Sequence, residues 1–167
     1  SPEKMLPTSS AIRLDTARPT ITTTREIEIR ITPVENPRME GVGGTLKACY
    51  VTEIAPGRLM GVFLWVDRET YPGKGCFNED TEGCMPMCIL LAESEDFGDT
   101  WSSLRDVPMT EEIGPPSLTN PLIVLPDGTL VLSIESNKTY HDSGTWFQRV
   151  VIFHSGDQGR TWGEPAI

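Results

Sequence analysis

The residues of this 167-residue chain best equipped for chemistry stand at the ends of two apolar runs. GVFLWV, which ends with Trp65 and Val66, is followed by Asp67, Arg68 and Glu69. TLVLSIES contains Glu135 and leads into Asn137, Lys138, Tyr140, His141 and Asp142. Between the runs lie Glu111, Glu112, Ser117, Thr119 and Asn120. A carboxyl group so placed can protonate a leaving group. An arginine can grip a carboxylate through two parallel hydrogen bonds. Tyrosine and histidine can stack on a sugar or donate a hydrogen bond to it. Each also has an ordinary structural role. A strand-end aspartate pairs with a neighbouring arginine, and a strand-end glutamate is simply solvated.

Other reactive types are less well arranged. Cys49, Cys76, Cys84 and Cys88 are the four cysteines. Cys76 and Cys84 bracket the polar stretch FNEDTEG, which leaves three readings: reduced thiols, a hairpin disulfide or a metal site. The metal reading is the poorest, because the spacing is not CxxC and His141 and His154 are distant in sequence. Asn78 to Gly83 alternates acidic groups ahead of a glycine, as a calcium loop does, but Ile89 stands where the closing bidentate acid belongs. Neither a metal nor a cofactor is expected. Asn137-Lys138-Thr139 spells a glycosylation sequon and is read as a chance match.

Composition narrows the partners. The formal net charge is -10, with no local cluster of Lys and Arg to offset it. Such a surface repels nucleic acid and anionic lipid, so neither nucleic acid nor a membrane is an expected partner. A small anionic ligand remains compatible, since a few arginines can dominate one pocket. No apolar run approaches the ~18 residues that cross a bilayer. Residues 1–30 contain no apolar signal-peptide core, so any export signal is expected to have been removed or never present. The compartment stays open, with a secreted or periplasmic protein as the working expectation.

These groups must be held by strands. Residues 1–20 are rich in Pro, Ser and Thr and read as an arm. In TREIEIRITP, Ile27, Ile29 and Ile31 alternate with polar residues, the mark of a strand with one buried face. LKACYVTEI, RLMGVFLWV and MPMCILLAES follow as strands, with an APG turn between the first two. The order then recurs as NPLIVLP, a PDG turn, TLVLSIES and WFQRVVIFHS. The polar segment after the second strand is longer in the first repeat by about ten residues. No stretch has helical periodicity, so the fold class is all-β, and repeats of about 60 residues point to propeller blades. In an up-and-down meander, the turns after strands one and three share one end. The segments after strand two therefore share the opposite end with the connectors, where a pocket would form.

Each repeat closes on the same phrase: SEDFGDTW at Ser94–Trp101 and SGDQGRTW at Ser155–Trp162. Ser94, Asp96, Gly98, Thr100 and Trp101 match Ser155, Asp157, Gly159, Thr161 and Trp162. The aspartate can accept N–H groups of its own turn, and the glycine permits positive φ. The hydroxyls tie the turn ends, and the tryptophan anchors the outgoing strand. A carboxylate saturated in this way is a poor acid or base, so the phrase is read as structural.

Both phrases resemble the Asp-box, the bacterial neuraminidase repeat of the sialidase superfamily, and the resemblance spans roughly residues 45 to 162. It implies a six-bladed β-propeller, of which residues 41–105 and 106–167 are two four-stranded blades and residues 1–40 an arm with an outer or closing strand. It also implies hydrolysis of a terminal sugar, possibly sialic acid, from glycans. Asp-boxes also occur in non-catalytic propellers that bind glycan or protein, which is the alternative. Under the resemblance, Asp67 is the candidate acid/base and Glu135 the next carboxylate. Arg68, Lys47, Asn120 and Tyr140 are candidates for substrate contact. Lys47 stands where the family's first blade carries a substrate-gripping arginine, and lysine lacks the bidentate fork. Six blades would need on the order of 360 residues. The chain is therefore expected to be a piece of a larger propeller, with further blades or self-association covering its open flanks.

Overall fold

The computed structural model describes residues 11–13, 26–28, 34–36 and 39–167. Among them the regular structure is all β-strand, apart from one short 3-10 turn at Glu111–Ile113. Two compact units divide the chain, Ser1–Pro33 and Val34–Ile167. In the first unit, β1 (Ala11–Arg13) pairs antiparallel with β2 (Glu26–Glu28), with Ile12 opposite Ile27. β2 covers the start of the alternating run expected at Ile27–Ile31, and the rest of that run lies outside the described residues. So does most of the arm expected at residues 1–20.

The second unit holds two antiparallel sheets. The first runs in the order β3 (Val34–Asn36), β4 (Met39–Ala55), β5 (Arg58–Asp67), β6 (Met87–Ser94) and β7 (Arg105–Asp106). Each strand follows its neighbour in sequence, with a two-residue turn between β4 and β5 and the longer segment 68–86 between β5 and β6. β3 had no legible signal, because three residues between prolines cannot show a period. It carries the sheet back to Val34, ahead of the boundary at 41 read from the sequence pattern.

In the second sheet, β10 (Leu130–Ser136) is central and β11 (Val150–Ser155) flanks it. β8 (Pro116–Ser117) and β9 (Ile123–Val124) share the other edge of β10. This first strand is broken because Pro121 has no N–H to give the ladder. Asn120 and Ser133 fill the gap, Asn120 Nδ2 donating to Ser133 Oγ at 2.9 Å. On the outer side of β11, Ala166 exchanges 2.9 Å backbone bonds with Ile152 in an isolated bridge. β11 begins at Val150 rather than at Trp146, as the pattern implied. The Trp146 indole instead bonds Ser136 O at 3.2 Å, leaving Phe147 75% exposed.

Side-chain alternation explains where the core sits. β5 is buried on both faces, as its near-continuous apolar sequence requires. Met60, Val62, Leu64 and Val66 point to one side and join Ile89 and Leu91 of β6. Leu130, Leu132, Ile134, Val151 and Phe153 of the second sheet pack on them in the same cluster. On the other face, Phe63 and Trp65 pack with Cys88, Leu90 and Ala92. Trp65, just ahead of the candidate residues Asp67 and Arg68, is therefore a core residue with no exposed surface. Each fully buried side chain of this size contributes about 1.5–3 kcal/mol.

Polar contacts set how the sheets stack. At the first-strand edges, Tyr50 OH donates to Thr119 O at 3.0 Å and Thr52 Oγ1 to Leu122 O at 3.2 Å. Toward the outer edge, Arg105 Nη1 donates to Gly159 O at 2.5 Å. The two sheets are thus tied by polar contacts at both edges of their shared apolar cluster. Leu132 is fully buried between the sheets. Leu132→Ala should therefore cost about 2–5 kcal/mol in urea unfolding. Because one cluster serves both sheets, the transition should remain single by fluorescence and circular dichroism. Two separated transitions would contradict a shared core.

Candidate functional site

The two repeated phrases form the same structure twice. In the first, Thr100 N and Oγ1 donate to Asp96 Oδ1 and Oδ2 at 2.8 and 2.6 Å. Ser94 Oγ donates to Asp96 Oδ1 at 2.8 Å and accepts Gly98 N at 2.8 Å. In the second, Thr161, Ser155 and Gly159 bind in the same way, with Asp157 as the acceptor. Gly98 and Gly159 have φ of 93° and 82°, the region glycine favours. The Thr161 hydroxyl and N–H, then the Ser155 hydroxyl, lower the Asp157 carboxyl to about 2. Asp96 is lowered by the equivalent donors. Both carboxylates are committed to their turns. Trp101 packs on the Phe63–Trp65 face and Trp162 on the cluster between the sheets.

The turns sort to two ends, as the meander requires. Phe97 N donates to Gly57 O at 3.0 Å, so the APG turn and the first clasp adjoin. At the opposite end, the segments 68–86 and 137–148 meet. Cys84 N donates to Lys138 O at 2.9 Å, Asn78 Nδ2 to Tyr140 O at 2.8 Å and Thr81 Oγ1 to the same oxygen at 2.7 Å. Tyr71 stacks on Tyr140 with ring centres 4.6 Å apart, and His141 meets both rings edge-on. Tyr71 sits in the longer polar segment of the first repeat, where no period announces a partner.

The candidates at this end separate into distinct environments. Asp67 is 1% exposed at the end of β5. Its carboxylate accepts Glu69 N at 2.7 Å, Thr70 N at 2.9 Å and Thr70 Oγ1 at 2.5 Å. Burial pushes this carboxyl up, but the Thr70 hydroxyl and the two N–H groups outweigh burial and hold it below the usual range. A general acid must carry a proton near neutral pH, and these donors favour the ionised form and tie the carboxylate into its turn. Arg68 does not turn to Asp67; its Nε donates to Thr45 Oγ1 at 2.9 Å. Lys47 Nζ lies 3.6 Å from Cys76 Sγ and 5.0 Å above the Phe77 ring. Glu135 is half-buried at the end of β10, beside Ser117 and Val150. Asn120 is spent on Ser133, halfway along the edge of β10. Tyr140 is 5% exposed. Among the described residues, no hydrogen bond or ion pair joins Lys47, Asp67, Arg68, Glu135, Asn120 and Tyr140 to one another.

The remaining motifs resolve structurally. All four cysteines are free thiols. Cys84 opposes Phe77 across the hairpin, and Cys76 O accepts Met85 N. Cys76 and Cys84 therefore lie in the same short hairpin without a bond between them. Burial, then nearby Cys76, raise the Cys84 thiol to about 11, with Lys47 opposing. Among the described residues, no group of three His, Cys, Asp or Glu could hold a metal. The sequon residue Asn137 is 7% exposed, and its Nδ2 donates to Ser117 Oγ at 2.9 Å and Pro115 O at 3.1 Å. An amide so buried and occupied is closed to glycosylation.

The clasps generate a pH prediction. Asp157 has a folded value near 2 against an ordinary 3.8. Its contribution to stability is thus fully present above 3.8 and lost as pH falls toward 2. Asp157→Asn should lower the Tm at about pH 5 and flatten its fall between about pH 4 and pH 2. Thermal melts of both proteins across that range check this; identical acid limbs would exclude the clasp as an acid-sensitive element.

No family model matches the chain, and no curated protein matches it. Among solved structures, a Hadza microbial sialidase, Hz136, is similar at 21% identity and a TM-score of 0.50. The match covers 77% of this chain and 26% of that one, so the chain spans about a quarter of the length of the protein it matches. The chain therefore has a sialidase-like β-fold.

Proposed function

We propose that residues 41–105 and 106–167 are consecutive blades of a sialidase-type β-propeller, each closed by an Asp-box. We take the chain to be part of a glycan-hydrolysing protein. One observation carries the propeller reading above others. The two repeated sheets pack face to face on one apolar cluster and are tied by the Tyr50–Thr119 contact at the first-strand edges and the Arg105–Gly159 contact farther out. That is how repeated units pack around a common axis. Further blades, or another copy of the chain, would cover the flanks.

The glycan would approach the end formed by segments 68–86 and 137–148, where Lys47, Arg68, Glu135 and His141 supply polar groups of both signs. A terminal sugar, sialic acid included, is the substrate class. The sialidase resemblance also asks for arginines that grip the sugar's carboxylate and for a tyrosine nucleophile activated by a glutamate, and these would come from other blades. Asp67 contributes as a positioning residue: its three hydrogen bonds set the course of the chain from Glu69 onward.

A second reading, glycan binding without hydrolysis, is favoured by the same saturation of Asp67 and by lysine rather than arginine at position 47. Turnover of a fluorogenic sialoside by the complete protein that carries this chain separates the two readings. Hydrolysis is the expected result; sialoside binding with no turnover would support the second reading. In the active protein, Asp67→Asn keeps an acceptor for the turn, so kcat should fall less than about tenfold with the acid and alkaline limbs of the pH profile unmoved. A loss of about 10²–10⁴-fold with a shifted limb would make Asp67 the acid/base after all.

A further inference from the structure

The longer polar segment of the first repeat shapes the corresponding segment of the second. Asn78 Nδ2 and Thr81 Oγ1 both donate to Tyr140 O, at 2.8 and 2.7 Å. Cys84 N donates to Lys138 O at 2.9 Å, and Cys84 forms a parallel bridge with Thr139. Gly83 permits this close approach. A Cβ at Gly83 would collide with the backbone oxygens of Thr139 and Tyr140, which are held by the chain and cannot swing aside. Tyr71, from the same segment as the hairpin, stacks on Tyr140 with 19° between the ring planes.

What these contacts hold in place is His141. Its ring stands edge-on to both tyrosines, with ring centres 5.0 Å from Tyr71 and 5.1 Å from Tyr140. Tyr140 is buried, whereas His141 is exposed. Among the described residues, neither of its ring nitrogens has a hydrogen-bond partner. We propose that His141 donates a hydrogen bond to a hydroxyl of the bound glycan, and that the hairpin of residues 76–84 positions it to do so. This rests on the glycan reading above and assigns one residue within it.

The site lies between the repeats. Tyr71 belongs to the first and Tyr140 and His141 to the second, so the cluster sits over the junction of the two sheets and on neither open flank. A polar side chain with no other role gains entropy by rotating freely in water. Here two rings and two side-chain donors from the other repeat restrain the imidazole and its turn. A donor aimed in one direction before the ligand arrives loses less freedom on binding, which is how a binding group is preorganised. The aromatic surroundings suit a sugar, whose C–H groups pack on a ring while its hydroxyls reach the imidazole.

Release of sialic acid from sialyllactose by the complete protein, or affinity for sialyllactose if it binds without turnover, tests this. His141→Ala should raise KM or Kd about five- to tenfold, with kcat changed less than about twofold and the Tm unmoved. Asn78→Asp keeps the oxygen that accepts Asp80 N, and Thr81→Val keeps the shape of its side chain. Each removes a donor to Tyr140 O without touching His141. Each should raise the same constant about two- to fivefold. Each should also shift the His141 ring resonances in ¹H–¹³C spectra of the 167-residue chain. Glu79→Gln, on the same hairpin, should change neither. An unchanged KM or Kd in His141→Ala would overturn the proposal and leave the glycan reading standing. Unmoved His141 resonances in both hairpin variants would overturn the positioning role. A complete protein that neither cleaves nor binds sialyllactose would remove the glycan reading and this assignment with it.

Discussion

A sheet that is apolar on both faces has to be covered on both, and that requirement organises this molecule. β5 is the clearest case, with Met60, Val62, Leu64 and Val66 on one side and Phe63 and Trp65 on the other, all buried. The second sheet covers the first of these faces with Leu130, Leu132, Ile134, Val151 and Phe153. Neither sheet could keep its register without that contact. A one-residue slip in β10 would turn Leu130, Leu132 and Ile134 outward and bring Val131, Ser133 and Glu135 inward. Burial in the shared cluster therefore fixes strand position, and strand position fixes what each end of the sheets can display.

The clasps work within that frame. A carboxylate that accepts a hydroxyl and an N–H from the same threonine cannot move independently of its turn. Each clasp therefore gives the chain a defined exit after its third strand and sets a tryptophan against the apolar layer. Arg105 links the two levels of organisation. It lies on β7, just beyond the first clasp, and bonds both Glu93 of its own sheet and the Gly159 carbonyl of the neighbouring clasp. Sheets, turns and the contact between repeats are thus coupled through few side chains.

At the opposite end the constraints are looser and more polar. Segment 68–86 is anchored at its start by Asp67, whose carboxylate holds Glu69 and Thr70. Further along, backbone bonds to Lys138 and Tyr140 fasten the segment to the second sheet. The Tyr71–Tyr140–His141 cluster lies at this junction. A surface assembled from two repeats in this way can be varied by changing one loop without disturbing either core, which is where recognition is usually built.

The sequence by itself determined the all-β class, the repeated strand order, both clasps and the separation of turns into two ends. These depend on local rules: period-two alternation, and an aspartate, a glycine and hydroxyls spaced to satisfy a single turn. Only the tertiary structure decided the rest. Asp67 looked free at a strand end because nothing in WVDRET says that the chain folds back to give it three donors. That Trp65 is buried on the far face of β5 is not written in its own strand. Strands β3, β7, β8 and β9 have two or three residues each and are too short to carry a period. Tyr71 and Tyr140, Arg105 and Gly159, and Cys84 and Phe77 became partners through the register between strands and sheets. That register is set by burial shared between the two sheets, and no local stretch of sequence encodes it.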